Sequence, residues 1–279
     1  MVRAAVKDSD CLQFLQWCLP GLRLRWAGFR RVRRQVCRRI VRRLNELGLS
    51  DVSAYRSYLE SDPAEWRVLD ALCRVPISRL YRDTAVFQFL EREVLPRLGH
   101  LVAAQGENDV RCWSIGCASG EEPYTVAILW RLRLAPRFPS LRLRILATDA
   151  DPHAIERAVR ACYPPSSLKQ LPEDLRSRAL IAAPGGFCVR EEYRGSVTFR
   201  DQDIRQTAPE GMFHLILCRN LAFTYFEGAL QRETLHKIAA RLFPGGALVI
   251  GRQERVPDGV PGFEAWSSGR GTYRRVPER

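Results

Sequence analysis

The sequence predicts an open, mainly parallel α/β sheet flanked by helices and preceded by a small α-helical domain. Three observations carry that expectation. After residue 108 apolar runs of strand length alternate with helical patterns, a loop of small residues at 114–120 joins the first such strand to its helix, and before residue 83 apolar residues recur at helical steps. A chain of 279 residues, 46% hydrophobic, can bury one large core and a small second one.

Phe29, Val32, Val36, Ile40 and Leu44 fall at three- and four-residue steps, which predicts one amphipathic helix over 28–47 closed by Gly48. Its other face carries Arg30, Arg31, Arg33, Arg34, Arg38, Arg39, Arg42 and Arg43 with no acid between them. Like charges so spaced repel, so ion pairs within the helix do not account for the stripe. It reads either as a solvated face or as a surface that docks an acidic partner through Arg30, Arg34, Arg38 and Arg42. Short helices over 51–58, 63–72 and 85–98 follow, giving a helical domain over 1–83 and a sheet domain over 84–279.

In the second domain the expected order is strand 110–115, helix 122–134, strand 141–148 ending at Asp149 and Asp151, and helix 152–161. Extended pieces at 187–190 and 196–200 flank Arg194-Gly195 and read as an antiparallel excursion. The apolar run 213–217 ends at Cys218-Arg219-Asn220, as a central parallel strand does. Helix 230–242, a Pro244-Gly245-Gly246 turn and strand 247–251 complete the pattern.

Composition narrows the function classes. No apolar run reaches the roughly 18 residues of a membrane span, and Asp8 and Asp10 precede a patch too short for a signal peptide, so the expected location is cytoplasmic with no membrane insertion. Nine cysteines lie scattered without a CxxC pair or a histidine at ligand spacing. They argue against a disulfide framework and against a metal site, and read as small core residues. The net charge is +13, and residues 1–83 hold 17 Lys+Arg against 9 acids, a surplus of 8. An acidic partner follows from that balance; its chemical class does not.

In an open parallel sheet, ligands sit at the carboxyl ends of the strands, which here gathers the 114–122 loop, Asp149 and Cys218-Arg219-Asn220. A loop built from Gly, Ser and Ala admits close backbone approach, yet Glu121 and Glu122 follow where a phosphate site would want lysine or bare amides. The expected ligand is a nucleoside bearing positive charge, and S-adenosylmethionine fits. Asp149 suits the ribose hydroxyls, although an acid ending a strand also serves as a helix cap.

Trp113 to Tyr124 resembles the WSAGCSTGEEPYS loop of the chemoreceptor-glutamate methyltransferases of the CheR type. Ala147 to Asp151 resembles that family's ATDID, Cys218 to Phe226 its CRNVLIYF, Leu242 to Gly246 its LKPGG, and Pro76 to Arg82 its NLTxFFR. The resemblance runs from about residue 28 to the C-terminus. It implies a class I, Rossmann-like S-adenosylmethionine methyltransferase sheet with a small β-subdomain near 184–200 and a preceding α-helical domain. It further implies S-adenosylhomocysteine as product, protein glutamate as methyl acceptor, and the acidic surface of a chemoreceptor helical bundle as partner. Cofactor contacts are implied for Ser78, Arg82, Gly116, Glu122, Asp149, Asp203, Ile204, Cys218, Arg219 and Asn220, with Arg82 and Tyr225 beside the transferring methyl.

A glutamate is already ionised near neutral pH, so its transfer needs alignment rather than a general base. The chain departs from the family pattern at three places: Pro76 and Asp203 replace asparagines, and four residues rather than three separate Asn220 from Tyr225. These changes keep open methylation of a small metabolite or peptide, or a sensor that holds the cofactor without turnover. Methylation of nucleic acid is disfavoured, having only the charge in its support.

Overall fold

The computed structural model describes residues 6–258, 260–266 and 271–277. These form two compact units, one made of Met1–Val75 with Thr224–Leu230 and the other of Pro76–Phe223 with Gln231–Arg279.

The first unit is helical: α1 (Asp8–Gly21), α2 (Trp26–Phe29), α3 (Arg33–Leu47), α4 (Val52–Ser61) and α5 (Glu65–Cys73). Cys11, Phe14, Leu15, Cys18 and Leu19 give α1 an apolar stripe at helical steps, and all five are buried. Asp51 caps α4 by accepting from the Ser53 and Ala54 N–H groups at 2.9 Å. Gly48, in the left-handed region at φ 69°, ends α3.

The single helix expected over 28–47 is instead α2, a turn and α3. Tertiary pairing overrides helical periodicity there. Leu24 bridges to Phe226, the Arg25 N–H donates to the Tyr225 carbonyl at 2.8 Å, and the Glu227 N–H donates to the Arg23 carbonyl at 2.9 Å. Gly28 lies so close to this returning segment that a Cβ would stand 2.3 Å from the Thr224 carbonyl oxygen.

The arginine stripe divides into two sets. Arg33 donates to Asp8 at 3.1 Å, Arg39 to the carbonyls of Leu72 and Arg74, and Arg43 to Glu65 and Glu46. Arg30, Arg31, Arg34, Arg38 and Arg42 are exposed. Acids on α1 and α5, with Glu46 at the end of α3, therefore neutralise part of the run.

The expectation of no disulfides is corrected: Cys11 joins Cys37 and Cys162 joins Cys188, while Cys18, Cys73, Cys112, Cys117 and Cys218 are free and buried. Pairing depends on Cα proximity in the folded chain, 6.1 and 4.0 Å here, and sequence spacing does not report it.

The strands of the second unit are β1 (Asp109–Ile115), β2 (Arg142–Asp149), β3 (Cys162–Tyr163), β4 (Leu180–Ala183), β5 (Gly186–Val189), β6 (Val197–Asp201), β7 (Phe213–Cys218), β8 (Leu242–Ile250), β9 (Phe263–Ala265) and β10 (Thr272–Arg275). Its helices continue as α6 (Thr84–Phe89), α7 (Leu95–Ala104), α8 (Glu121–Leu129), α9 (Pro152–Arg160), α10 (Glu173–Ala179) and α11 (Glu191–Arg194). α12 (Ala222–Tyr225) and α13 (Gly228–Ala239) complete the set, each divided between the units. Seven strands make one sheet in the order β6-β2-β1-β7-β8-β10-β9, parallel from β6 to β8 and antiparallel beyond. The connection runs to β2 on one side of β1 and to β7 on the other, so the switch point of the sheet lies at β1.

Two expected elements differ. Residues 197–201 are not an antiparallel excursion but the parallel edge strand β6, with Asp201 paired to Asp149. The hairpin lies earlier, where Gly185 at φ 79° turns β4 into β5, and β3-β5-β4 forms a separate small sheet. Pro244-Gly245-Gly246 is a bulge inside β8: the paired positions advance from Phe213 to Leu215 while β8 advances from Leu242 to Ala247.

His214, fully buried on β7, accepts the Arg111 N–H at Nδ1 (3.0 Å) and stacks on Phe243 with ring centroids 4.6 Å apart. Burial first, and the Arg111 cation second, push its pKa down to about 4. The imidazole therefore favours folding when neutral. That contribution is complete above the unfolded value of about 6.5 and is lost as pH falls from there toward 4. Urea titrations at pH 7 and pH 4.5 should differ by roughly 2–3 kcal/mol more in the natural chain than in His214→Phe; equal acid sensitivity would remove the histidine from the account.

Candidate active site

The loop after β1 turns through three left-handed residues, Gly116 (φ 70°), Ala118 (φ 50°) and Gly120 (φ 87°), before entering α8. A Cβ at Gly116 would meet the Leu221 side chain at 2.6 Å. Position 116 therefore needs glycine for both conformation and space. The Gly116 and Cys117 N–H groups donate to the Thr148 carbonyl at 2.8 and 3.0 Å, tying the loop to the end of β2. Asp149 finishes that fixation, its carboxylate accepting from the Ala118 N–H (2.8 Å) and the Asp151 N–H (2.9 Å). Asp151, not Asp149, caps α9.

Farther along the loop the Ser119 hydroxyl accepts from Arg157 Nε at 3.0 Å and the Ser119 carbonyl accepts from the Tyr163 hydroxyl at 2.8 Å. Asp203 stands just past the end of β6 and follows Gln202, whose N–H donates to the Asp149 carbonyl at 2.9 Å. Arg205 grips the Asp203 carboxylate through Nε and Nη2, the latter at 2.7 Å. Below that turn Lys237 Nζ donates to the carbonyls of Ile204, Arg205 and Gln206. The charge that replaces the family's neutral amide is thus offset locally. Ile204 itself is buried.

At the end of β7, Arg219 is the hub. Its side chain is 3% exposed; Nη1 donates to Glu122 Oε2 at 3.0 Å, and Nη2 to the Asp83 carboxylate at 2.8 Å and the Arg82 carbonyl at 2.9 Å. The guanidinium also lies over the Phe87 ring, 5.0 Å from its centroid. Glu122 takes a further bond at Oε1 from the Ser114 hydroxyl, 2.8 Å away. Next to it Glu121 is buried, its Oε2 without a partner among the described residues, and burial raises its pKa against a hydrogen bond from Ser78. Asn220 is held in the left-handed region at φ 54°, with its N–H donated to Glu254 at 2.9 Å. Cys218 is wholly buried, its thiol pushed up by desolvation, so only its backbone is placed to meet a ligand.

The structure therefore brings Ser78, Gly116, Glu122, Asp149, Asp203, Arg219 and Asn220 to the carboxyl ends of the parallel strands or the segments packed on them. Arg82 stands at this end too, its Nη1 donating to the Ile77 carbonyl. Tyr225 belongs to the helical unit, where its ring packs edge-on against Phe29 with centroids 5.1 Å apart. Sequence reasoning passed over Asp83, Thr125, Arg205 and Glu254. Only adjacency to the motifs signals Asp83 and Thr125, and nothing in the spacing signals the other two.

A positively charged nucleoside fits this end: it offers a glycine loop with close approach, an acid at the end of β2, and acids at the start of α8 rather than cations. Comparison with known proteins agrees. Residues 77–270 match the family described as CheR methyltransferase, SAM binding domain, and residues 32–72 match CheR methyltransferase, all-alpha domain. A chemotaxis protein methyltransferase of Listeria monocytogenes is 31% identical over 89% of this chain and 91% of its own length. That of Listeria innocua is 34% identical over 67% of this chain and 68% of its own, and that of Salmonella typhimurium is 31% identical over 83% and 79%. The chain belongs to the CheR methyltransferase family and is an S-adenosylmethionine-dependent methyltransferase.

Proposed function

We propose that the protein transfers a methyl group to a glutamate carboxylate on the helical bundle of a chemoreceptor, in the cytoplasm. What supports the acceptor is the row of exposed arginines Arg30, Arg34, Arg38 and Arg42, with Arg31 exposed beside them, while Arg33 and Arg43 pair with acids and Arg39 with backbone carbonyls inside the helical unit. Such a surface suits an acidic helix. The name borne by the relatives, chemotaxis protein methyltransferase, supports the same acceptor.

S-adenosylmethionine supplies an electrophilic methyl on a sulfonium. In this reading Asp149 receives the ribose hydroxyls, Asp203 the base, the Gly116 loop lies along the nucleoside, and Ser78, Glu122 and Asn220 meet the amino-acid portion. A carboxylate oxygen forms its bond to the methyl carbon as the carbon–sulfur bond breaks, and no proton moves. Alignment then supplies most of the rate. Arg82 orients the acceptor carboxylate as a guanidinium fork. Tyr225 enters as the second orienting group through its motif alone.

Incubation with cofactor tritiated at the methyl group and a chemoreceptor cytoplasmic fragment should yield label that alkali releases as methanol. Alkali-stable label would assign the acceptor to an amine or a base, and binding without transfer would make the protein a cofactor sensor. Charge reversal of Arg34→Glu with Arg38→Glu should weaken fragment binding about tenfold at low salt and leave S-adenosylhomocysteine affinity unchanged. Equal loss of both affinities would sink the docking role.

A further inference from the structure

Tyr81 (φ 60°) and Asp83 (φ 63°) both occupy the left-handed region, one on each side of Arg82. For an aromatic residue this is a true outlier, and each such residue costs about 1–3 kcal/mol. Strain of that kind persists only where the surroundings over-determine it. Here the determinants can be named. The Tyr81 N–H donates to Thr125 Oγ1 at 3.0 Å, its ring stacks on Phe87 with centroids 5.2 Å apart, and Arg219 holds the Arg82 carbonyl and the Asp83 carboxylate.

Thr125 is fully buried in α8, one turn after the two glutamates at its start. Its hydroxyl donates back to the Glu121 carbonyl at 2.6 Å, so its own proton is already used within the helix. The oxygen lone pair it offers to Tyr81 is therefore a tertiary contact between α8 and the turn bearing Arg82. Valine would keep the volume at this buried position of α8 but would orphan the Tyr81 N–H.

We propose that Thr125 is a positioning residue for methyl transfer: together with Arg219 it locks the strained Tyr81–Asp83 turn, and so fixes where the Arg82 guanidinium meets the cofactor. This rests on the reading of Arg82 as a cofactor contact. The direct test is a double-mutant cycle read by calorimetric titration of the full chain with S-adenosylhomocysteine, which needs no methyl acceptor. Thr125→Val should weaken binding about tenfold, Thr125→Ser should restore it to within about twofold, and Thr125→Val added to Arg82→Ala should cost less than about twofold more.

A structural role alone would make the two substitutions additive, and full additivity overturns the proposal. So does natural affinity in Thr125→Val. If Thr125→Val does not fold, Thr125→Ala enters the same cycle. Should Arg82→Ala bind as the natural chain does, the Arg82 reading falls and this proposal with it; a weakened Arg82→Ala beside an unchanged Thr125→Val removes Thr125 alone.

Discussion

Arg219→Met should lower S-adenosylhomocysteine affinity by at least about a hundredfold and destabilise the sheet unit by about 3–5 kcal/mol. The physical reason is the pairing. One buried guanidinium serves Glu122, Asp83 and the Arg82 carbonyl, so its removal leaves two carboxylates facing a low-dielectric end of the sheet and frees a strained turn. Truncating one partner of such a network costs more than the net worth of the network, because the abandoned charges remain. Arg219→Lys keeps the charge but not the fork: a single ammonium cannot span Glu122 on one side and Asp83 with the Arg82 carbonyl on the other. It should retain most of the stability and still lose at least about tenfold in affinity. Thermal melts and calorimetric titration on both variants check this; natural affinity in the lysine variant would show that Glu122 and the 82–83 turn are held by something else.

Glu65→Ala should cost the helical unit about 3–5 kcal/mol while leaving the sheet unit unaffected. Glu65 is 3% exposed and accepts Arg43 Nε and Nη2 at 2.9 and 2.8 Å and the Tyr55 hydroxyl at 2.7 Å. Alanine would orphan the buried Tyr55 hydroxyl and leave Arg43 with Glu46 alone, in a small core that has little apolar area to spare. The Arg43 hydrogen bond, more than any other influence, holds the Glu65 carboxyl below its usual value, with Tyr55 assisting and burial opposing. Its folded pKa being depressed, its contribution is present above the unfolded value of about 4.3 and is lost as pH falls through the folded one. Hydrogen exchange on the whole chain separates the units: amides of α3 to α5 should lose protection in Glu65→Ala at pH 7, and those of β1, β2 and β7 should not. Equal loss in both sets would mean that the units unfold together.

Much of the sheet was legible because its signals are local. An apolar run ending in a small-residue loop, or in Asp149, states its own strand direction. The misses have one physical cause, that tertiary partners decide. Residues 196–200 carry no sign of whether they pair parallel or antiparallel, and only β2 makes them an edge strand. The helix at 28–47 has the right period throughout, yet the returning 224–227 segment claims its first turn. In α1 two of the five buried positions are cysteines, which hides an apolar stripe from a reading that counts leucine and phenylalanine. Within the site, the motifs point to Arg219 as a cofactor contact, but a sequence does not show the partners that its guanidinium holds in the folded chain. The partners that occupy it, Asp83 and Glu122, sit 136 and 97 residues away.

The division of the arginine stripe has a metric consequence. Arg34, Arg38 and Arg42 recur every fourth residue on α3, so successive rungs rise about 6 Å and advance about 40° round the axis. The ladder is short, about 12 Å from first rung to last, and it winds. A partner that engages all three rungs must present acids whose own winding follows the same pitch, as carboxylates at four-residue intervals on a helix do. Evenly charged but randomly spaced acidic chains would meet one rung at a time. For a partner docked on this face, the spacing of its acids matters alongside their total charge.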